Sequence, residues 1–419
     1  MKVYKVGQEK PMQITGKVLK RFVRDNSKDI RGDYSTVEIQ IKEGLIHSIK
    51  VPSPGAGKEI AQGADKVVIP PDHVIVPAFV DCHVHLVLDG ILGFRKFIGP
   101  VSDDVLIQRL KMILHAGVAA VRDGSDHYNT GMQAKELCQS NNLKNPKGFY
   151  PKVVTTGWGL YREGHYGSFL GQGGIKEFQE VKQRIALLKK AGVDQLKVVQ
   201  SGLVSFTEYG KTGPAQFTKL EMKEIVKIAG EFDLPVMVHA SSDEAVSIAV
   251  EAGVHTVEHG YFMSLQTLEL MAEKEVAWVP TVAPVAAALK EVQILGLEGS
   301  NGKVKPEVLE KTIENHLEKI KLAQEIGVTL GIGTDAGSPG VSWQQGFWQE
   351  MQYYARAGLS AEIILEIASK NGSHLLGLSG EMGSIEVGKK PYFVSISEES
   401  LKDMKNFQGP SSIIVPDGC

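Results

Sequence analysis

Cysteine is scarce in this chain: Cys82, Cys138 and Cys419 are the only three in 419 residues. They are too few and too scattered for a disulfide framework, so stability must come from a packed core. An excess of one charge is also missing. The 46 basic and 49 acidic side chains leave a formal net charge of −3, with no block of like charge. A nucleic-acid partner would need a basic surface and is not expected. No apolar run is long enough to span a bilayer, and Met1-Lys-Val-Tyr-Lys-Val6 lacks the apolar core of a signal peptide. A cytoplasmic protein with reduced thiols and no membrane partner is therefore expected. Internal repeats and low-complexity segments are absent as well, which leaves an ordinary folded enzyme-sized chain.

Two textures divide what is present. Residues 1–73 are β-rich. Ser35-Thr-Val-Glu-Ile-Gln-Ile-Lys42 alternates, Glu43-Gly44 turns, and Leu45-Ile-His-Ser-Ile-Lys-Val51 resumes, which predicts a hairpin. Ser53-Pro-Gly-Ala-Gly57 predicts a loop. Over residues 74–380, strands alternate with amphipathic helices. Strands are expected at 74–85, 119–122, 152–156, 195–199, 234–239, 256–259, 277–280 and 329–334, each followed by at least one helix. This pattern predicts an α/β fold, a (β/α)8 TIM-like barrel. An open doubly wound sheet is the alternative. It requires a Gly-rich phosphate loop after the first strand, and Asp81-Cys-His-Val-His85 is no such loop. Residues 381–419 return to β texture, with a short strand at Pro391-Tyr-Phe-Val-Ser-Ile396. They can pair with residues 1–73 as one small β domain outside the barrel.

The active site of such a barrel lies at the C-terminal ends of its strands. The first strand ends in His83 and His85, which alternate and so project to one side. Two converging imidazoles are a natural metal site. Further strands end in His239, His259 and Asp335, and the fourth contains Lys197. Each alone has a bland reading, because a buried histidine is more often a packed one than a ligand. Five such residues on one rim are hard to assign to chance. A lysine inside an apolar strand is costly unless paired or modified. Lys197 either snorkels to the rim or has reacted with CO₂ to give a carbamate, an anionic ligand able to bridge two cations.

This constellation resembles the amidohydrolase superfamily. The likeness rests on Asp81-x-His83-x-His85, Lys197, His239, His259, Asp335 and the closing Gly383-Ser-Ile-Glu-Val-Gly-Lys389. Val257-Glu-His-Gly260 and Gly331-Ile-Gly-Thr-Asp-Ala-Gly-Ser-Pro339 are similar to the imidazolonepropionase-related branch. Within it, the likeness is to dizinc prolidase-type enzymes, the Xaa-Pro dipeptidases and carboxypeptidases. The resemblance implies a composite β-sandwich from both termini and a binuclear site for two divalent metal ions, with zinc the expected metal. His83, His85 and Asp335 would hold one metal, His239 and His259 the other, and N-carboxylated Lys197 would bridge them. Asp335 would move the proton of the attacking water, and His165 would polarise the substrate carbonyl. Tyr161 and Arg162 are expected to form a pocket wall or bind a substrate carboxylate, although loop packing explains them as well, and His127 to line the pocket. The other histidines, and Cys82 pointing away from the metals, are read as packing or surface residues.

The expected reaction is hydrolysis of a linear amide, such as a dipeptide or an N-acyl amino acid, by a metal-bridging hydroxide. Two alternatives stand beside it. One is an ester, lactone or organophosphate hydrolysed at the same site. The other is a mononuclear deaminase or imidazolonepropionase-like ring hydrolase. Ser241 and Ser242 replace the aromatic residue frequent after the fifth-strand His-Ala of prolidase-like enzymes, which leaves the substrate open. The partners expected are a small-molecule substrate and further copies of the chain in a homo-oligomer.

Overall fold

A computed structural model describes residues 1–7, 10–24, 33–52, 64–91, 99–139, 149–299 and 304–416, with the side chains of 295–299 left aside. The loop expected at Ser53–Gly57 and the residue Cys419 lie outside these.

Both ends of the chain meet in one eight-stranded sheet. Lys2–Val6 pairs in parallel with Ser412–Pro416. Phe393–Ser397 pairs antiparallel with both Ser412–Pro416 and His73–Pro77. The hairpin expected near the N-terminus forms from Tyr34–Lys42 and Leu45–Lys50. Its alternation buries Val37, Ile39 and Ile41 on one face, as a half-buried strand requires. A two-stranded ribbon joins Val23–Arg24 to Ile385–Glu386.

Seven parallel strands follow among the described residues: Phe79–Val84, Val118–Asp123, Lys152–Thr155, Leu196–Val199, Val236–Ser242, Thr256–Phe262 and Ala277–Val279. The first three form one parallel sheet and the last four another. Almost every residue in them is buried, because helices cover the sheet and leave no face for polar alternation. Leu160, just past the third strand, bridges to Val198 of the fourth. On the other side, Leu330 bridges to Trp278 and Ala336 to Val84. Through these bridges the pairing leads from the seventh strand back to the first.

Helices fill the connections. The helix Lys219–Glu231 shows the local logic. Thr218 caps it in a reciprocal box with Glu221, and Met222, Ile225, Ile228 and Ala229 line its buried face.

Two expectations need correction, and one helix was not anticipated. The run 74–85 is not one strand. It breaks at Ala78, after Pro77, so that His73–Pro77 joins the terminal sheet and Phe79–Val84 the parallel one. Residues 329–334 form no regular strand, only bridges. Gly331 and Gly333 lie so close to their neighbours that an added Cβ would come within 2.7 Å of Leu375 Cδ1 and 2.4 Å of Val279 Cγ1. The helix Ala283–Gly299 had no expectation of its own.

Candidate metal centre

His83 is fully buried and His85, Lys197, His239 and His259 nearly so. The rings of His83 and His85 lie 5.3 Å apart, those of His83 and His259 5.1 Å, and those of His239 and His259 4.5 Å. Asp335 Oδ1 lies 3.4 Å from His85 Nε2 and 3.8 Å from His83 Nε2. One ligand atom each from His83, His85 and Asp335 falls within 4.8 Å of the others.

The protons of these imidazoles can be placed from their outer partners. His83 Nδ1 donates to Glu258 Oε2 at 2.7 Å, and His85 Nδ1 donates to the Ser125 carbonyl at 3.0 Å. His239 bonds the Gly202 carbonyl. Thr281 Oγ1 gives its proton to the Pro280 carbonyl at 2.7 Å, so it accepts from His259 Nδ1 at 2.7 Å. All four histidines therefore turn an Nε2 lone pair inward. The Nε2 atoms of His83 and His85 lie only 3.4 Å apart. His239 Nε2 and Asp335 Oδ1 are buried without a hydrogen-bond partner among the described residues. Acceptors packed against acceptors repel one another unless a cation lies among them. The donor set of imidazole nitrogens and a carboxylate suits a divalent transition metal such as zinc.

Burial sets the charge of the cluster. It holds His85 and His239 down to about 3, with the Lys197 charge adding to the shift. His83 and His259 are held well below their ordinary value for the same leading reason. Neutral imidazoles are the form that binds metal. Burial also lowers the Lys197 ammonium to about 8. Lys197 forms no ion pair among the described residues, so a neutral amine is accessible near neutrality.

Backbone geometry shapes the rim. Ser125, His259, Thr281 and Asp335 have φ between 54° and 81°, a left-handed conformation uncommon for side-chain-bearing residues. Gly124 keeps the space between the first two histidines open. A Cβ there would lie 2.9 Å from His83 Nε2 and 2.9 Å from His85 Cε1.

His165, expected to polarise the carbonyl, and the residues expected at the pocket wall are held by local contacts. His165 is exposed, and its ring bonds the Glu163 carbonyl at 3.1 Å rather than joining the cluster. Its neighbour Tyr166 is the one against the site, with its ring 5.4 Å from that of His239. The Arg162 guanidinium is taken up by Glu221 at 2.5 Å and by the face of Phe217. Tyr161 is buried beside Leu170 and Val199. His127 is exposed, with Nδ1 on the Gly171 carbonyl at 3.0 Å. Ser242, one of the two serines after His239, caps the next helix through Ala245 N at 3.2 Å.

Two further residues were not singled out for roles in the site. Glu258 and Arg122 are fully buried and paired at 2.7 Å. Arg122 also donates to the Cys82 carbonyl at 2.7 Å, to Gln195 at 2.9 Å and to Thr256 at 3.1 Å. Glu258 thus links a locked guanidinium to the outer nitrogen of His83, a partner that fixes the ring and raises its basicity. Asp81 clamps the site from below. It accepts from the backbone N–H of His83 and Thr334 at 3.2 and 3.0 Å, and from Thr334 Oγ1 at 2.7 Å.

A fold of parallel strands with a histidine–carboxylate centre at their ends defines a metal-dependent hydrolase class. The chain belongs to the amidohydrolase family, whose model matches residues 74–415. By sequence it is similar to ochratoxinase of Aspergillus niger, 26% identical over 239 residues, which is 56% of this chain and 47% of that enzyme. The aligned stretch spans about half the length of that relative. By structure it is similar to a Xaa-Pro dipeptidase holding methionine in its active site, with a TM-score of 0.76 at 22% identity, over 97% of this chain and 98% of that one. It is also similar to the structure of A. niger ochratoxinase, with a TM-score of 0.74 at 20% identity, over 96% and 93% of the two chains.

Proposed function

We propose that the protein is a binuclear metal-dependent hydrolase that cleaves the amide bond of a dipeptide or an N-acyl amino acid. One observation carries the metal centre: inward-facing Nε2 atoms of His83 and His85 stand 3.4 Å apart beside an unpartnered carboxylate oxygen of Asp335. Family membership and the likeness to a Xaa-Pro dipeptidase and to ochratoxinase support the amide. We read the parallel strands as a closed (β/α)8 barrel and the terminal sheets as a small β-sandwich.

His83, His85 and Asp335 would hold one cation, His239 and His259 a second, and Lys197, carboxylated on Nζ, would lie between. When bound, such a pair lowers the pKa of water and polarises a carbonyl. The protein's own part is orientation and proton transfer. Glu258 and the Ser125 carbonyl fix the two first histidines from behind. Asp335, beside His83 and His85 at the strand ends, is the carboxylate we assign to take a proton from water and return it to a leaving amine.

Metal analysis of the purified protein and of Lys197→Ala tests this reading. Wild type should carry about two equivalents and the variant about one, with turnover reduced by at least about a hundredfold. Full activity and an undiminished metal count in Lys197→Ala would refute the bridging role. A panel of dipeptides and N-acyl amino acids, with esters as the counter-set, tests the substrate class.

A further inference from the structure

Ser125 is held on both sides of its backbone. Its N–H donates to Asp123 Oδ2 at 3.3 Å, and its carbonyl accepts from His85 Nδ1 at 3.0 Å. Its φ of 81° is costly for a residue with a side chain. The hydroxyl is fully buried, yet it has no hydrogen-bond partner among the described residues. A buried hydroxyl left unpaired is destabilising, so it points to a partner that arrives later.

The position of Gly159 shows where that partner would sit. A methyl at Gly159 would come 2.9 Å from Ser125 Oγ and 3.5 Å from Lys197 Cγ. The unpaired hydroxyl and the Lys197 stem thus face one point, and the residue there has no side chain. Lys197 is 1% exposed and Gly159 N–H is tied to the Leu170 carbonyl at 2.8 Å, so the gap is a feature of fixed backbone.

We infer that Ser125 Oγ is the hydrogen-bond donor that positions the carbamate of Lys197, and that Gly159 keeps its space open. The inference rests on the carboxylated-lysine reading given above. Carboxylation joins the neutral Nζ lone pair to the carbon of CO₂. One C=O π pair moves onto oxygen, and the extra proton on nitrogen leaves to solvent. The product is an anion with two acceptor oxygens; each keeps a second lone pair when it holds a cation, and one of these can accept the hydrogen bond from the Ser125 hydroxyl. Ser125 is a positioning residue here, since it acts through Lys197.

The test is ¹³C NMR of protein equilibrated with ¹³C-bicarbonate, run alongside metal counting. Two variants separate the hydroxyl from the fold. Ser125→Ala removes only the hydroxyl. Ser125→Gly also relaxes the left-handed backbone and keeps the carbonyl that holds His85. In both, the bicarbonate concentration for half-maximal carbamate signal should rise about tenfold or more, as loss of a hydrogen bond to a charged group implies. Gly159→Ala should raise it further. Wild-type bicarbonate dependence in both Ser125 variants would overturn the inference. Absence of a carbamate signal from wild type at any bicarbonate concentration would overturn the lysine reading itself, and the inference with it.

Discussion

Glu258 offers the sharpest perturbation of the site. Glu258→Gln keeps the shape and removes the charge. In the native arrangement one oxygen accepts from Arg122 at 2.7 Å and Thr256 at 2.5 Å, the other from His83 at 2.7 Å. A glutamine has one acceptor and one donor end. Whichever way it is turned, it must face either Arg122 or the His83 N–H with a donor. Arg122 keeps its bonds to Cys82, Gln195 and Thr256, so the cost falls at the low end of a broken buried pair, about 3 kcal/mol. A ligand histidine that loses its carboxylate partner also weakens metal binding by about 10–100-fold. Urea titration of metal-free protein measures the first effect, and chelator competition measures the second. Adding Arg122→Met to Glu258→Gln removes the orphaned charge and should restore part of the stability but none of the metal affinity. A metal-free Glu258→Gln protein within about 1 kcal/mol of wild type, with unchanged chelator competition, would refute the coupling argued here.

Gly124→Ala should leave the fold intact and abolish tight binding at the first two histidines, because the methyl meets both rings at 2.9 Å; chelator competition with circular dichroism as control checks this. His316 tests the electrostatics away from the metals. It is buried with Nε2 on the Pro280 carbonyl at 2.9 Å and Nδ1 unpartnered, and burial holds it down to about 3. Between that value and the ordinary histidine value near 6.5 the unfolded chain binds the proton and the folded one does not. Stability of the metal-free protein is therefore lost as pH falls through this window, by about 1.4 kcal/mol per pH unit from this residue. In His316→Gln the slope between pH 6.5 and 5 should be shallower, approaching that amount at the lower pH; an unchanged slope in urea titrations at the two pH values would contradict it.

Much of the site was legible because parallel strands bury both faces and push their polar residues to the ends. His83, His85, His239, His259 and Asp335 follow from that rule, and Lys197 from the cost of a lysine inside an apolar strand. Glu258 did not, and the reason is geometric. Neighbours on a regular strand face opposite ways, so a residue beside His259 should turn away from it. The φ of 70° at His259 breaks that alternation, and both residues reach His83. Ser125 was hidden for a similar reason, since it lies past its strand in a left-handed turn. Loop residues were the least legible. The Gly164-His165 pair predicted a carbonyl contact, but the turn exposes His165 and presents Tyr166 instead. The terminal strands were easy to see as β, whereas their partners, hundreds of residues away, leave no local signal.

Ala78 is the only residue between the terminal sheet and the strand that carries His83, and its N–H is itself bonded to the Tyr392 carbonyl at 2.9 Å. There is no slack in that passage. A one-residue slip of His73–Pro77 against Phe393–Ser397 would be handed on to the metal strand and would turn its histidines to the opposite face. The sheet made by the two ends of the chain therefore acts as a gauge, setting the register of a site to which it contributes no ligand.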